Sequence, residues 1–123
     1  MVNSFPDVVK KLLGVEVGRY HVDLLRAETT YYLQNGDSHI VPLPLPNETI
    51  AQGFGREEIA AAVLASQREG QPFPQFLLRA MRAGCIGYVA YLEGQRVIYG
   101  GRLGDMHIEY FPGSPFKPVP VAP

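Results

Sequence analysis

The chain repeats itself. Phe5-Pro6 returns as Phe73-Pro74, an offset of 73 − 5 = 68 residues. At that offset Tyr20 returns as Tyr88, Tyr31 as Tyr99 and Gly36-Asp37 as Gly104-Asp105. His39-Ile40 likewise returns as His107-Ile108, and Pro44 as Pro112. A repeat constrains a fold strongly, because each half must adopt a shape that its twin can also adopt. A segment of this length cannot bury a stable core alone. The two halves are therefore expected to pack together about a pseudo-two-fold axis.

Each half opens with an amphipathic helix. Phe5, Val8, Val9, Leu12 and Leu13 fall at i, i+3, i+4, i+7 and i+8, one apolar helical face. Phe73, Phe76, Leu77, Ala80 and Met81 repeat that face 68 residues on. Ser4 with Asp7 has capping-box spacing, and Pro6 suits a first turn, where its missing N–H costs nothing. Gly14 and Gly84 stop the two helices. Three strands follow in each half, at 17–24, 29–33 and 38–41, and again at 85–92, 95–100 and 106–111. Asn35-Gly36 reads as a type I′ turn and Glu93-Gly94 as a two-residue hairpin turn.

Between the halves, Pro42, Pro44 and Pro46 rule out a central strand and mark an extended connection. Residues 56–69, REEIAAAVLASQRE, then form a helix, with Glu57 and Glu58 near its positive end and Gly70 as its stop. It has no counterpart in the first half and reads as a spacer. The expected fold is α+β. It is an internally duplicated helix–three-strand meander with an extra linking helix, its antiparallel sheet carrying the helices on one face. The 123 residues make one domain: repeat one at 5–44, linker and spacer helix at 45–72, repeat two at 73–112 and a proline-rich tail at 113–123.

Charge narrows the possible partners. With 11 basic and 12 acidic residues the net charge is −1, which supplies no basic face for nucleic acid or an anionic membrane. No apolar run approaches the ~20 residues of a membrane span, and the N-terminus lacks the regions of a signal peptide. A single cysteine, Cys85, excludes an intrachain disulfide. A cytoplasmic, reduced protein is expected, with a homodimer as its assembly.

Few residues suggest chemistry. Asp37-x-His39 and its echo Asp105-x-His107 place Asp and His on one strand face. If the axis brought the third strands together, two carboxylates and two imidazoles would converge into a set that suits a divalent metal. Turn chemistry for the aspartates is the simpler account. Cys85 follows a helix C-terminus, where the dipole opposes a thiolate, so it reads as a buried structural thiol. His21 reads as a surface or satisfied core residue. The matched tyrosines could stack a planar ligand, or fill a core, as aromatics on strands do. Gly100-Gly101-Arg102-Leu103-Gly104 lacks a following helix and a Lys-Ser/Thr, so it reads as a bulged hairpin rather than a phosphate loop. Pro115, Pro118 and Pro120 could dock on a partner as polyproline, or lie along the sheet edge and block it. No cofactor is called for.

The second half carries a further pattern: Phe73 and Phe76 leading to Ala83-Gly84, an aromatic-centred strand at 88–92, a hairpin through Val97 and Tyr99, and a close at Glu109 to Pro112. Gln67 and Gly70 end the helix before it. Over 49–112 this resembles the bacterial domain-of-unknown-function family 1398, sometimes labelled phage envelope protein. Leu77 stands where the family often has cysteine. Ala90-Tyr91 stands where it has valine-aspartate, a pair found here at Val22-Asp23. The resemblance implies a bacterial protein without an assigned activity, and lends no functional residues. The sequence thus points to a non-catalytic accessory, interaction or small-ligand-binding protein. The alternative is a small metal-assisted or acid/base enzyme built on Asp37, His39, Asp105 and His107.

Overall fold

A computed structural model of the chain describes residues 5–119, and of residues 5–7 the backbone alone. The expected cap at Ser4, the side chains of Phe5, Pro6 and Asp7, and Pro120 lie outside what is described. The elements run α1 (Phe5–Gly14), β1 (Val17–Asp23), β2 (Glu28–Leu33), β3 (Ser38–Pro42), α2 (Arg56–Glu69), α3 (Phe73–Arg82), β4 (Gly87–Tyr91), β5 (Arg96–Gly100) and β6 (Met106–Tyr110). The architecture is α+β, as expected.

The six strands form one antiparallel sheet in the order β3-β2-β1-β4-β5-β6. Its geometry recurs at the offset seen in the sequence. Helix α3 occupies α1's span plus 68, and β6 occupies β3's. Tyr20 faces Tyr31 as Tyr88 faces Tyr99, and Tyr31 faces His39 as Tyr99 faces His107. The halves join through β1 and β4, where His21 faces Val89. Those two are themselves 68 apart, so the matched positions meet at the middle of the sheet.

Alternation along the strands sorts the side chains into two faces. Val22, Tyr88, Ala90, Val97 and Tyr99 point to one face and enter the core, under Ile59, Ala62 and Val63 of α2 and Phe76, Leu77, Ala80 and Met81 of α3. The four repeat-matched tyrosines share this covered face. Tyr88 and Tyr99 are buried, and their rings lie 5.1 Å apart, against 5.7 Å for Tyr20 and Tyr31. Tyr88 and Tyr99 fill the core and Tyr20 packs against it, rather than offering a stacking platform.

Three local readings change. The loop at Asn35-Gly36 spans three residues, with Gly36 alone at positive φ and Gly36 N–H donating to Leu33. That is a type I turn with a glycine bulge, in place of type I′. The hairpin at Glu93-Gly94 needs four residues, because Tyr91 faces Arg96, with Gln95 at positive φ. Ala27, its counterpart in the first half, has positive φ too. Finally, α2 is no mere spacer: it packs on α3 and buries Ile59, Ala62, Val63 and Ala65. Among the described residues α1 buries no side chain, and its Leu13 is 44% exposed.

Gly84 shows why the second half is the better packed. It sits at φ +81°, and a β-carbon there would collide with the Gly53 carbonyl. The chain before α2 passes over this point, held by Ala51 N–H to Met81 and Gly55 N–H to Ala83. The first half places Glu16 at the matching position, φ 62°, with no such crossing.

Candidate functional site: a hollow on the open sheet face

The face opposite the helices contributes no residue to the core. Its middle row runs Ile40, Thr30, His21, Val89, Ile98 and Ile108 across all six strands. Ile40, Met106 and Ile108 are exposed on it.

The repeat breaks on this face. At one end Arg19 and Tyr32 lie side by side, the Arg19 guanidinium 3.9 Å from the Tyr32 ring centre. Sixty-eight residues on stand Gly87 and Gly100, which also face each other. Two large side chains in one half of the sheet stand at the offset positions of two hydrogens in the other. The result is an open hollow of about 380 Å³, within the size range of small-molecule sites. Val89, Tyr91 and Ile98 wall it, with His21, Asp23 and Asp105 also lining it.

Each polar group is placed by local structure. The Oδ1 atom of Asp23 accepts the N–H groups of Leu25 and Arg26, both at 3.0 Å, which fixes its carboxylate at the mouth of the β1–β2 loop. His21 leans over Gly87: a β-carbon built there would lie 3.3 Å from Nε2 and 2.7 Å from the Val22 carbonyl oxygen. The space above Gly87 is therefore tight against the backbone. Gly100 is looser, since its β-carbon would lie 3.9 Å from the carbonyls of Asp105 and Gly87. The Asp105 carboxylate makes no hydrogen bond or ion pair among the described residues.

The two Asp-x-His corners do not meet. The halves join through β1 and β4, so β3 and β6 become opposite edges of the sheet, roughly 24 Å apart at ~4.8 Å per strand. Asp37 is tied to its own turn, its N–H donating to Asn35 Oδ1 at 2.9 Å and its carboxylate accepting Asn35 Nδ2 at 3.2 Å. His39 is exposed on the edge strand. His107 lies on Tyr99, ring centres 6.3 Å apart, with Nε2 2.8 Å from Glu109 Oε2. Of the four, only Asp105 borders the hollow, and it does so beside His21 rather than its expected partners. Among the described residues no three of His, Cys, Asp or Glu gather at metal-binding distances.

Cys85 is fully buried, and its thiol donates to the Gly87 carbonyl at 3.3 Å. Burial pushes it up to about 11, against the opposing effect of the Gly87 and Gly100 backbone. It is a structural thiol. Burial also raises Tyr20, Tyr88 and Tyr99 above the ordinary tyrosine range.

As far as Val119, the tail makes no backbone hydrogen bond to β6. It turns twice, Ser114 N–H donating to Phe111 and Lys117 N–H to Ser114. Pro115 and Pro118 are exposed there. Phe116 comes to the open face, where Arg96 lies 5.7 Å from its ring and 4.8 Å from that of Tyr110. The β6 edge is capped instead by Arg56, whose Nε donates to the Met106 carbonyl at 2.8 Å.

The glycine pair was missed because Gly100 was read as part of a bulged hairpin and Gly87 passed unremarked inside a strand. The signal that would have found it is the repeat itself, read for its mismatches. No model of a known family matches the chain and no curated protein does, so the resemblance over 49–112 assigns none of these residues a role. No helix among the described residues is long and apolar enough to cross a membrane.

Proposed function

We propose that this is a non-catalytic binding protein whose small-ligand site is the hollow over Gly87 and Gly100. The observation that carries the reading is the replacement, at the repeat offset, of Arg19 and Tyr32 by two glycines. Close backbone approach accounts for Gly87, but a β-carbon would fit at Gly100, where glycine only weakens the strand. The lining names a ligand class. Val89, Tyr91 and Ile98 favour a flat apolar body, and the glycine floor allows close approach to the backbone. Asp23 and Asp105 favour a cationic or donor-rich group at its rim. The enzyme alternative loses its premise with the corners on opposite edges, and a thiol held protonated at Cys85 offers no nucleophile.

Titration of the ¹⁵N-labelled protein with benzamidine, a flat aromatic cation, tests this by NMR. Saturable shifts are expected at the amides of Gly87, Val89, Ile98 and Gly100. Gly100→Tyr restores the residue type of the other half at a position that accepts a β-carbon. It should remove the shifts while leaving the melting temperature within a few degrees. Shifts that persist in Gly100→Tyr, or that never saturate, contradict the assignment.

A further inference from the structure

The two edges of this sheet are finished differently. In the second half the edge strand β6 has α2 beside it and Arg56 on the Met106 carbonyl. Among the described residues no helix lies beside β3, and all five of its residues are exposed. Ile40 is 61% and Val41 47% exposed, and they point to opposite faces. The strand is thus bare on both faces and along its edge.

Its free hydrogen-bonding groups follow from parity. Leu33 N–H donates to Asp37 at 2.8 Å, and Leu43 N–H donates to Ala27 at 2.9 Å. Hydrogen-bonded pairs alternate along an antiparallel ladder. The residues of β3 bonded to β2 are therefore His39 and Val41, facing Tyr31 and Thr29. Ser38, Ile40 and Pro42 turn their backbone groups outward, where none meets a partner among the described residues. An unpaired edge of this kind is a template for another strand.

We propose that the occupant is a second copy of this chain, with β3 pairing antiparallel to the partner's β3 about a two-fold axis at Ile40. The two six-stranded sheets then become one continuous sheet. The self-complementarity is specific. Ile40 exchanges both backbone bonds with its equivalent. Ser38 donates to Pro42 of the other copy at each end, and proline's missing N–H falls at the outermost position, where it forfeits least. Ile40 packs on Ile40 across the open face, and Val41 on His39 across the covered one. The strand, SHIVP, carries no Asp, Glu, Lys or Arg, so no like charges oppose. The pairing is independent of the hollow, whose glycines lie on β4 and β5.

Light scattering behind gel filtration, from about 10 μM to 1 mM, reads the result. The wild-type mass should approach twice 13.6 kDa. Ile40→Pro should halve it, with an unchanged circular dichroism spectrum, because an edge proline whose N–H faced solvent is tolerated. Ile40→Cys supplies a second readout. Hydrogen-bonded partners in such a ladder lie ~5.5 Å apart, within disulfide reach, so mild oxidation should give a covalent dimer. Val41→Cys, its equivalents ~7–8 Å apart diagonally, should stay uncrosslinked, and the buried Cys85 does not compete. A monomer at every concentration means the edge serves some other extended strand and overturns the proposal. So does an Ile40→Pro variant that still dimerises.

Discussion

At the scale of single residues, Cys85 shows how burial alone assigns a role. Its thiol lies under the β4–β5 backbone, fully buried, and is pushed up to about 11. An unfolded cysteine ionises near pH 8.5–9, so between about pH 9 and 11 the unfolded state loses a proton that the folded state keeps. Protons bound by the unfolded state are then fewer, and stability falls as pH rises. Wild-type stability should drop faster than that of Cys85→Ala between pH 9 and 10, by roughly 1.4 kcal/mol per pH unit. Above pH 10 the raised tyrosines add to the decline in both proteins. Chemical denaturation at several pH values measures the slopes, and parallel slopes would refute this. The thiol's burial was legible from its place after a helix end. The roles of Gly87 and Gly100 were not, because a glycine's meaning lies in what approaches it. Gly87 has the Val22 carbonyl 2.7 Å from its missing β-carbon, whereas Gly100 has nothing closer than 3.9 Å.

Elements with the same sequence pattern can carry different energetic weight. Helices α1 and α3 share length, offset and apolar spacing, yet only α3 reaches the core. The difference is α2, which lies against α3 and closes the layer above it, while among the described residues no helix packs on α1. Leu77→Ala should therefore cost about 2–5 kcal/mol, the range for a fully buried leucine. Leu12→Ala, half-buried on α1, should cost under about 1 kcal/mol. Denaturant midpoints for the two variants decide it, and equal losses would mean that α1 is as much part of the core as α3. Sequence periodicity located all three helices, and α2 within its observed bounds. It could not rank them, because a hydrophobic face is a local property and its burial depends on which neighbour arrives.

For the whole molecule, strand order decides what the local patterns leave open. The halves meet through β1 and β4, which sends β3 and β6 outward and parts the Asp-x-His corners. It also makes the sheet unevenly supported, with β4 and β5 under two helices and β3 under none of the core. Local opening should follow that gradient. In the Ile40→Pro background, where pairing between copies does not intervene, the amides of His39 and Val41 should exchange earliest among the ladder positions. Those of Tyr88 and Ala90 should exchange last. Equal protection at both sites would show that the sheet opens only as a unit.

What the sequence determined by itself was whatever depends on short range. The repeat at 68, the helices, the six strands, the punctuating glycines and the α+β class all follow from local conformational preference and the periodicity of apolar residues. What only the tertiary structure decided was adjacency. Which third strand lies beside which, which helix is buried, and that His21 comes to lie over Gly87 depend on long-range pairing. Two halves of nearly equal pattern can be joined at more than one edge without altering any local preference, so the choice rests on how the whole surface is buried. That choice, β1 against β4, set His21 and Asp23 beside the glycine pair of the β4–β5 hairpin and left β3 bare.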